Sequence, residues 1–178
     1  MRLNINGQTY TTKTDNNGYF TYNYKTNKAG TNTVTVTYPG NSNFQYASSY
    51  KTFNVKYPTV ELNVYPVNYA YPQPGKQVGE DHFEAWYQTY NGQYDKGIHV
   101  QNFGYNPYTD DWSAPHYVIV DATFYFKNSA GQIYTDTYKA SRATNYMSHK
   151  LVSGYTPYKV VVSYRKATSS ESKMLSPI

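Results

Sequence analysis

Apolar and polar residues alternate in short runs along most of the chain, and turn-forming residues separate the runs. Successive side chains of a β-strand point to opposite faces, so this period of two predicts strands with one buried face. Asn-Gly, Ala-Gly and Pro-Gly pairs between the runs supply the backbone conformations of tight turns. No segment shows the period of an amphipathic helix. The pattern therefore predicts an all-β, antiparallel fold.

Residues 1–57 carry five predicted strands. They cover Leu3–Ile5, Gln8–Lys13, Tyr19–Tyr24, Asn32–Tyr38 and Tyr46–Lys56. Their apolar face is predicted to hold Phe20, Val34, Val36 and Phe53. Because an Ig-like sandwich needs about seven strands, we expect this part to be an incomplete domain with an open edge. Such an edge offers unpaired backbone groups to a strand from another chain.

The alternation restarts after Tyr57-Pro58, where proline disfavours a continuing paired strand. Seven strands are predicted between residues 59 and 165: the run around Val60, Leu62 and Val64, then Asp81–Tyr90, Gly97–Phe103, His116–Lys127, Gln132–Tyr138, Tyr146–Leu151 and Tyr158–Tyr164. Asn91-Gly92 predicts a type I′ turn with both residues at positive φ. We therefore expect a complete sandwich over residues 58–167 and a frayed or extended tail over 168–178.

The first part of the chain also resembles a known family. The matching stretches are Asn6 to Tyr10, Asp15 to Tyr24, Ala29-Gly30-Thr31 and Val34 to Asn41. They resemble the C-terminal half of the bacterial Ig-like (Big) repeats of cell-surface adhesin-like proteins, notably those of methanogenic archaea. The family usually has Tyr where Asn32 stands.

A fainter internal similarity relates the two parts of the chain. Residues 126–135 parallel residues 5–11, and residues 154–164 parallel residues 30–38, with Tyr158 at the position of Asn32. Together with the family resemblance, this implies tandem Ig-like β-sandwiches, the first one incomplete. The resemblance further implies an extracellular protein at the cell surface.

Composition narrows the classes of function. The chain has 178 residues, 24 of them Tyr, and no Cys, which excludes disulfides and thiolate metal sites. The net charge of +5 comes from Lys and Arg residues scattered along the chain, so we do not predict nucleic-acid binding. No apolar run is long enough to span a bilayer. We expect no cofactor and no membrane insertion of this segment.

The long polar-aromatic loop Gly104–Pro115 is the predicted recognition site, because binding residues concentrate on loops held by a rigid scaffold. The candidate ligand-binding residues are Tyr105, Tyr108, Asp110, Asp111, Trp112 and, just after the loop, His116. The two carboxylates suit a calcium ion, but two adjacent acids fall short of the six to eight oxygens that Ca²⁺ takes. We therefore favour turn-capping acids and predict no metal.

Two other groups of residues have alternative interpretations. His82, Glu84 and Trp86 share one strand face, which would suit acid–base chemistry; a solvated face explains them as well, and we favour it because no nucleophile is positioned nearby. Tyrosines could stack on sugar rings or simply pack at edges and turns, and we favour packing. They are Tyr65, Tyr69, Tyr71, Tyr87, Tyr90 and Tyr94.

With this resemblance, the chain is expected to be a non-catalytic, extracellular adhesin-like protein. Its second domain would bind a glycan or protein ligand of a cell surface through its loops. The alternative is a structural spacer or fibre subunit, in which chains exchange strands or self-associate through the incomplete first domain. A third hypothesis is a carbohydrate-binding module accessory to an enzyme.

Overall fold

The computed structural model describes residues 1–26, 28–67, 74–106, 111–112 and 114–175. The chain divides into two compact units, Met1–Tyr57 and Pro58–Ile178. Both units consist mainly of antiparallel sheet, which confirms the all-β prediction. In the described residues, no helix has the length and apolarity that crossing a bilayer requires.

The first unit is a single sheet. Its strands are β1 (Arg2–Ile5), β2 (Gln8–Thr11), β3 (Gly30–Tyr38) and β4 (Ala47–Val55), in the order β2-β1-β3-β4. Asn6 and Gly7 join β1 to β2 with φ of 52° and 89°. The predicted Asn6-Gly7 hairpin is therefore confirmed, because both residues adopt the left-handed conformation of a type I′ turn.

The predicted strand Tyr19–Tyr24 does not form, so that prediction is wrong. The side chain of Asp15 accepts hydrogen bonds from the backbone N–H groups of Asn17 and Tyr19, both at 2.9 Å, and turns the chain before the aromatic run. Tyr22 and Tyr24 then pack against Tyr10 of β2, with ring centroids 5.2 and 5.9 Å apart. The alternating aromatic residues contact the sheet instead of pairing as a strand.

The buried side chains of the first sheet differ from those expected. Leu3 and Ile5 are buried, whereas Val34 and Val36 are only half-buried and Phe53 is 37% exposed. Phe53 lies on the outermost strand, where no further strand of the described residues covers it. The prediction that Phe53 points into the core is therefore wrong.

Asn32 of β3 is fully buried. Its amide nitrogen donates to the carbonyls of Lys28 (3.0 Å) and Gly30 (2.9 Å), and its oxygen accepts from Nδ2 of Asn6 at 2.5 Å. A buried amide costs little when it is fully hydrogen-bonded. Asn32 therefore ties the β1–β2 turn to the start of β3.

The second unit contains all seven strands predicted for it, with shorter elements between them. In chain order they are β5 (Thr59–Asn63), β6 (Tyr65–Pro66), β7 (Gly75–Val78), β8 (Asp81–Gln88), β9 (Gly97–Asn102), β10 (Tyr105–Asn106), β11 (Asp111–Trp112), β12 (Tyr117–Lys127), β13 (Ile133–Lys139), β14 (Tyr146–His149), β15 (Thr156–Lys166) and α1 (Ser169–Leu175).

Two sheets face each other in this unit. One has the order β13-β12-β15-β5 and the other β14-β9-β8-β6, with β7 also paired to β8. The core between them includes Leu62, Phe83, Ile98, Phe124 and Val160, each 1% exposed or less. In immunoglobulin domains the second and third strands lie in opposite sheets, but here the corresponding strands β8 and β9 are neighbours. The sandwich is confirmed, and the Ig-like strand order is not found.

The predicted type I′ turn at Asn91-Gly92 is wrong. Neither residue has positive φ. The connection between β8 and β9 spans residues 89–96 and is closed by side chains: Nε2 of Gln88 donates to the carbonyls of Tyr90 (3.0 Å) and Tyr94, and Oδ1 of Asn91 accepts from the N–H of Lys96 at 3.0 Å. The connection is therefore a longer loop rather than a two-residue hairpin turn.

The tail forms a short helix, so neither a frayed end nor a further strand describes residues 169–175. Thr168 and Glu171 cap its start reciprocally. The N–H of Glu171 donates to Thr168 Oγ1 at 3.3 Å, and the N–H of Thr168 donates to Glu171 Oε2 at 2.9 Å. This Thr-x-x-Glu capping box is a helix-start signal that the sequence carries.

Candidate functional site

The predicted recognition loop contains a small hairpin. The backbones of β10 and β11 pair antiparallel, with Tyr105 opposite Trp112 and Asn106 opposite Asp111. Tyr108 and Asp110, the other candidates on the loop, lie outside the described residues. His116 follows the loop and precedes β12.

Asp81, the first residue of β8, holds both ends of this loop. It is fully buried. Its Oδ2 accepts from the backbone N–H groups of His116 (2.9 Å) and Tyr117 (3.0 Å) after the loop, and from Nδ2 of Asn102 (2.6 Å) before the loop. Its Oδ1 lies 2.7 Å from Nδ1 of His116. A buried carboxylate that accepts this many bonds is well compensated for its lost hydration.

Asn102 extends the connection on the other side. Its Nδ2 also donates to the carbonyl of Tyr117 at 2.9 Å, and its Oδ1 accepts from the N–H of Gly104 at 3.0 Å. Its backbone carbonyl accepts from Nδ2 of Asn145 at 3.0 Å. We call Asp81, Asn102, His116 and Tyr117 the loop base. Its hydrogen bonds fix where the loop leaves and re-enters the sandwich.

His116 adds an exposed polar surface to the loop base. Its ring lies between two carboxylates, with Nδ1 2.7 Å from Asp81 Oδ1 and Nε2 3.2 Å from Glu80 Oε2. The His116 side chain is 46% exposed and that of Glu80 is 81% exposed. The foot of the loop therefore presents an imidazole and a carboxylate that are accessible from solvent.

Among the described residues, no group of three or more His, Asp or Glu side chains could hold a metal ion. Asp110, one of the two acids considered for calcium, lies outside that part of the chain. The interpretation of the adjacent acids as turn-capping residues therefore stays a prediction.

Sequence reasoning missed Asp81, Asn102 and Glu80. Asp81 stands at the start of an alternating strand, where an acid is ordinarily exposed, and Asn102 ends the next strand as a residue typical of turns. The only usable signal for Asp81 and Asn102 was their place at strand ends, Asp81 at the start of β8 and Asn102 at the end of β9. The sequence does not show that Asp81 and Asn102 are close in space, because this depends on the antiparallel pairing of β8 with β9.

The face of β8 that carries His82, Glu84 and Trp86 is buried, so the prediction of a solvated face is wrong. These residues are 3%, 5% and 4% exposed. The ring of Trp86 packs against Tyr94 and Phe103, with centroids 5.2 and 6.3 Å away. Residues from the connections around β9 thus cover the sheet face that alternation alone assigns to solvent.

His82 and Glu84 lie side by side in this buried layer, with Nε2 of His82 3.3 Å from Oε1 of Glu84. Gly75 of β7 passes close to them: a Cβ at Gly75 would lie 2.7 Å from Nε2 of His82 and 2.2 Å from the carbonyl oxygen of Phe83. Only glycine fits this approach. The imidazole–carboxylate pair is enclosed by the fold.

His99 lies in the same buried layer, where its ring stacks on Trp86. Its Nε2 lies 2.9 Å from the carbonyl oxygen of Asp95, which can only accept, so Nε2 carries the proton. Nδ1 then accepts from the hydroxyl of Tyr146 at 2.6 Å. Burial lowers the pKa of His99 and raises the pKa of Tyr146. These shifts favour the uncharged forms and suit a packing role.

The tyrosines considered for sugar stacking take different places. Tyr87 packs against the core, and Tyr94 stacks on Tyr146 with centroids 5.5 Å apart. Tyr90 is 52% exposed, and Tyr65 belongs to β6. Tyr69 and Tyr71 lie outside the described residues. Packing therefore accounts for Tyr87 and Tyr94.

Comparison with known proteins gives no match: no family model matches the chain, and no curated protein or solved structure matches it significantly.

Proposed function

We propose that the protein is a non-catalytic binding protein of the cell surface, and that it recognises its ligand through the loop 104–115 of the second unit. The observation that carries this proposal is the loop base, in which buried Asp81 binds Asn102 on one side of the loop and His116 and Tyr117 on the other. Binding residues are often found on loops that a rigid scaffold positions.

The fixed base matters for affinity. Ordering a flexible loop on binding costs conformational entropy that the contacts must offset. The antiparallel pairing of Tyr105 with Trp112 and the hydrogen bonds of the loop base order both ends of the loop in advance. Binding a ligand therefore costs less conformational entropy of the loop than it would for a fully flexible loop.

The residue types on and beside the loop favour a glycan over other ligands. Tyr105, Tyr108 and Trp112 supply aromatic rings, whose faces suit the C–H face of a sugar. At the foot of the loop, the carboxylate of Glu80 (81% exposed) and the ring of His116 (46% exposed) supply polar groups suited to sugar hydroxyls. A protein surface with hydroxyl-rich or aromatic residues is the second ligand class.

The cell-surface location rests on the resemblance of residues 6–41 to repeats of adhesin-like proteins. The absence of a catalytic role is also part of the proposal. The imidazole–carboxylate pair of His82 and Glu84 is enclosed, and His99 is only 1% exposed, so neither offers a substrate an accessible proton donor or acceptor.

The test is a glycan array and a whole-cell binding assay with the full chain. We expect specific binding that Trp112→Ala reduces at least tenfold and that Tyr138→Ala leaves unchanged. Tyr138 is a comparable aromatic residue, 40% exposed on β13, away from the loop in sequence and sheet order. Equal loss in both variants, or unchanged binding in Trp112→Ala with native circular dichroism, would contradict the proposal.

The spacer or fibre function is the second candidate, and the open sheet of the first unit favours it. Strand β4 lies at the edge of that sheet. A spacer would bind neither glycans nor cells in the same assays. It would instead be elongated and would hold a binding domain located elsewhere away from the surface.

A further inference from the structure

Strand β4 is an exposed, regular sheet edge. It pairs with β3 on one side, and no strand among the described residues of the first unit pairs with its other side. The register with β3 runs without a shift from Ala47 to Val55. All its residues except the last are exposed. One long row of backbone N–H and C=O groups is therefore available for pairing.

The usual protections of an edge strand are nearly absent from β4. Proline, a bulge or several charges normally prevent edge-to-edge pairing. β4 has no proline and no bulge, and Lys51 is its single charged residue. Two of its aromatic side chains are solvated, Tyr50 at 72% and Phe53 at 37% exposure.

We propose that β4 pairs antiparallel with β4 of a second copy of the chain, about a two-fold axis at Tyr50. The two four-stranded sheets then join into one continuous sheet. The occupant is a second copy because the strand complements itself in this register. This proposal does not depend on the loop-binding function of the second unit.

Symmetry restricts the register to a few choices. In a two-fold pair, residue i faces residue j and residue j faces residue i. Directly opposite residues of antiparallel strands share a sheet face, so the axis must pass through a residue. An axis at Lys51 would place two lysines directly opposite each other, which is destabilising. The central alternatives are Tyr50 and Thr52.

The axis at Tyr50 makes the better cross-strand pairs. It places Tyr50 opposite Tyr50, Ser48 opposite Thr52 and Ala47 opposite Phe53. Aromatic pairs and Ser–Thr hydrogen bonds are among the stabilising pairs of antiparallel sheets. An axis at Thr52 would instead place Phe53 opposite Lys51 and Tyr50 opposite Asn54.

Repulsion between the Lys51 side chains of the two copies weakens the β4–β4 pairing and makes it depend on the salt concentration. With the axis at Tyr50, Lys51 faces Ser49, and the two lysines are diagonal neighbours about 7–8 Å apart. That separation is within the screening length of dilute buffer. Dimerisation should therefore strengthen when the salt concentration is raised from 20 to about 500 mM.

Sedimentation equilibrium of the full chain tests the register through Ser49, which is exposed. Ser49→Glu creates two Glu–Lys51 pairs and should tighten the dimer roughly two- to thirty-fold, whereas Ser49→Lys should weaken it by a similar factor. The control is the same pair of changes at exposed Thr9 of β2, the opposite edge of the sheet. A chain that stays monomeric at several hundred micromolar would overturn the proposal, as would equal effects at Thr9.

Cysteine cross-linking tests the axis directly, because the natural chain has no Cys. Tyr50→Cys places two thiols opposite each other at the Cα separations that a disulfide spans, about 4.5–5.5 Å. Mild oxidation should convert this variant to a covalent dimer at least ten times faster than the matched variant Thr9→Cys. Equal rates would overturn the proposed axis.

Discussion

The two units build β-structure from similar alternating sequence but bury it differently. In the second unit, two sheets face each other and enclose side chains such as Phe83 and Phe124 completely. In the first unit there is a single sheet, and Tyr22 and Tyr24 from the connection between β2 and β3 pack on its Tyr10. The outer strand β4 of this sheet is exposed. The difference teaches that alternation predicts strands well but does not say what covers them.

The largest expected effect tests the buried acid of the second unit. Asp81→Ala leaves the N–H groups of His116 and Tyr117 and the amide of Asn102 without their acceptor. The second unit should lose about 3–5 kcal/mol of unfolding free energy. Tryptophan fluorescence in urea measures this unit alone, because both tryptophans, Trp86 and Trp112, belong to it.

The matched control for that variant is Asp121→Ala. The side chain of Asp121 accepts from Ser163 Oγ at 2.7 Å and is half-buried. Its removal should cost about 1 kcal/mol or less. If the two variants were equally stable, Asp81 would not hold the loop base.

Truncating one valine in each unit compares how well the two units bury their apolar side chains. Val162 is completely buried between the sheets, so Val162→Ala should cost roughly 2 kcal/mol through lost burial and the cavity left behind. Val36 of the first sheet is only half-buried, so Val36→Ala should cost less than about 1 kcal/mol. Amide hydrogen exchange in each unit measures both, and equal costs would mean that the first sheet is as well covered as the second unit.

An Asn-Gly pair occurs in both units, as Asn6-Gly7 and Asn91-Gly92, and its glycine can be substituted in each. Gly7 has φ of 89°, so Gly7→Ala should destabilise the first unit by about 1 kcal/mol. Gly92 does not have positive φ, and a Cβ there would lie 3.2 Å from a ring carbon of exposed Tyr90, which can move. Gly92→Ala should change stability by less than about 0.5 kcal/mol. Thermal melts of the two variants provide the comparison.

The smallest effect concerns α1, which has no buried residue and is held by polar contacts. Nη1 and Nη2 of Arg165 donate to the two carboxylate oxygens of Glu171, both at 2.8 Å. Together with the Thr168 N–H, they lower the pKa of Glu171 to about 2 from its usual 4.5. A lowered pKa stabilises the folded form above pH 4.5, and this stabilisation is lost as the pH falls towards 2. An NMR titration of the Glu171 carboxyl carbon should show this midpoint, and Arg165→Gln should raise it.

The sequence predicted most of the strands because alternation and turn residues are local signals. The seven strands predicted for the second unit and the Asn6-Gly7 turn follow from them, whereas the short strands β6, β7, β10 and β11 were not predicted. The predicted turn at Asn91-Gly92 does not form because the side chains of Gln88 and Asn91 close a longer loop. The turn preferences of a dipeptide do not include such side-chain contacts. The predicted strand Tyr19–Tyr24 does not form because its alternating aromatic side chains, such as Tyr22, pack on Tyr10 of the sheet.

The candidate site was predictable only as a loop. Its length and aromatic residues marked it, and the structure adds the pairing of Tyr105 with Trp112. Asp81 could not be found, since its partners Asn102 and His116 are 21 and 35 residues away. The burial of His82 and Glu84 likewise depends on segments distant in sequence that lie over their face.

The loop base has a consequence for how this protein can change. Asp81 binds mostly backbone N–H groups and one amide at the two ends of the loop, so the frame is insensitive to the residues between them. Residues 105–113 lie between Phe103, which packs on Trp86, and buried Pro115. We therefore expect that these residues can be exchanged for sequences of other lengths and compositions while the sandwich keeps its stability. If the loop binds a ligand as proposed, changes in its binding residues would leave the residues of the loop base in place, and the second unit would serve as a scaffold for libraries of displayed loops.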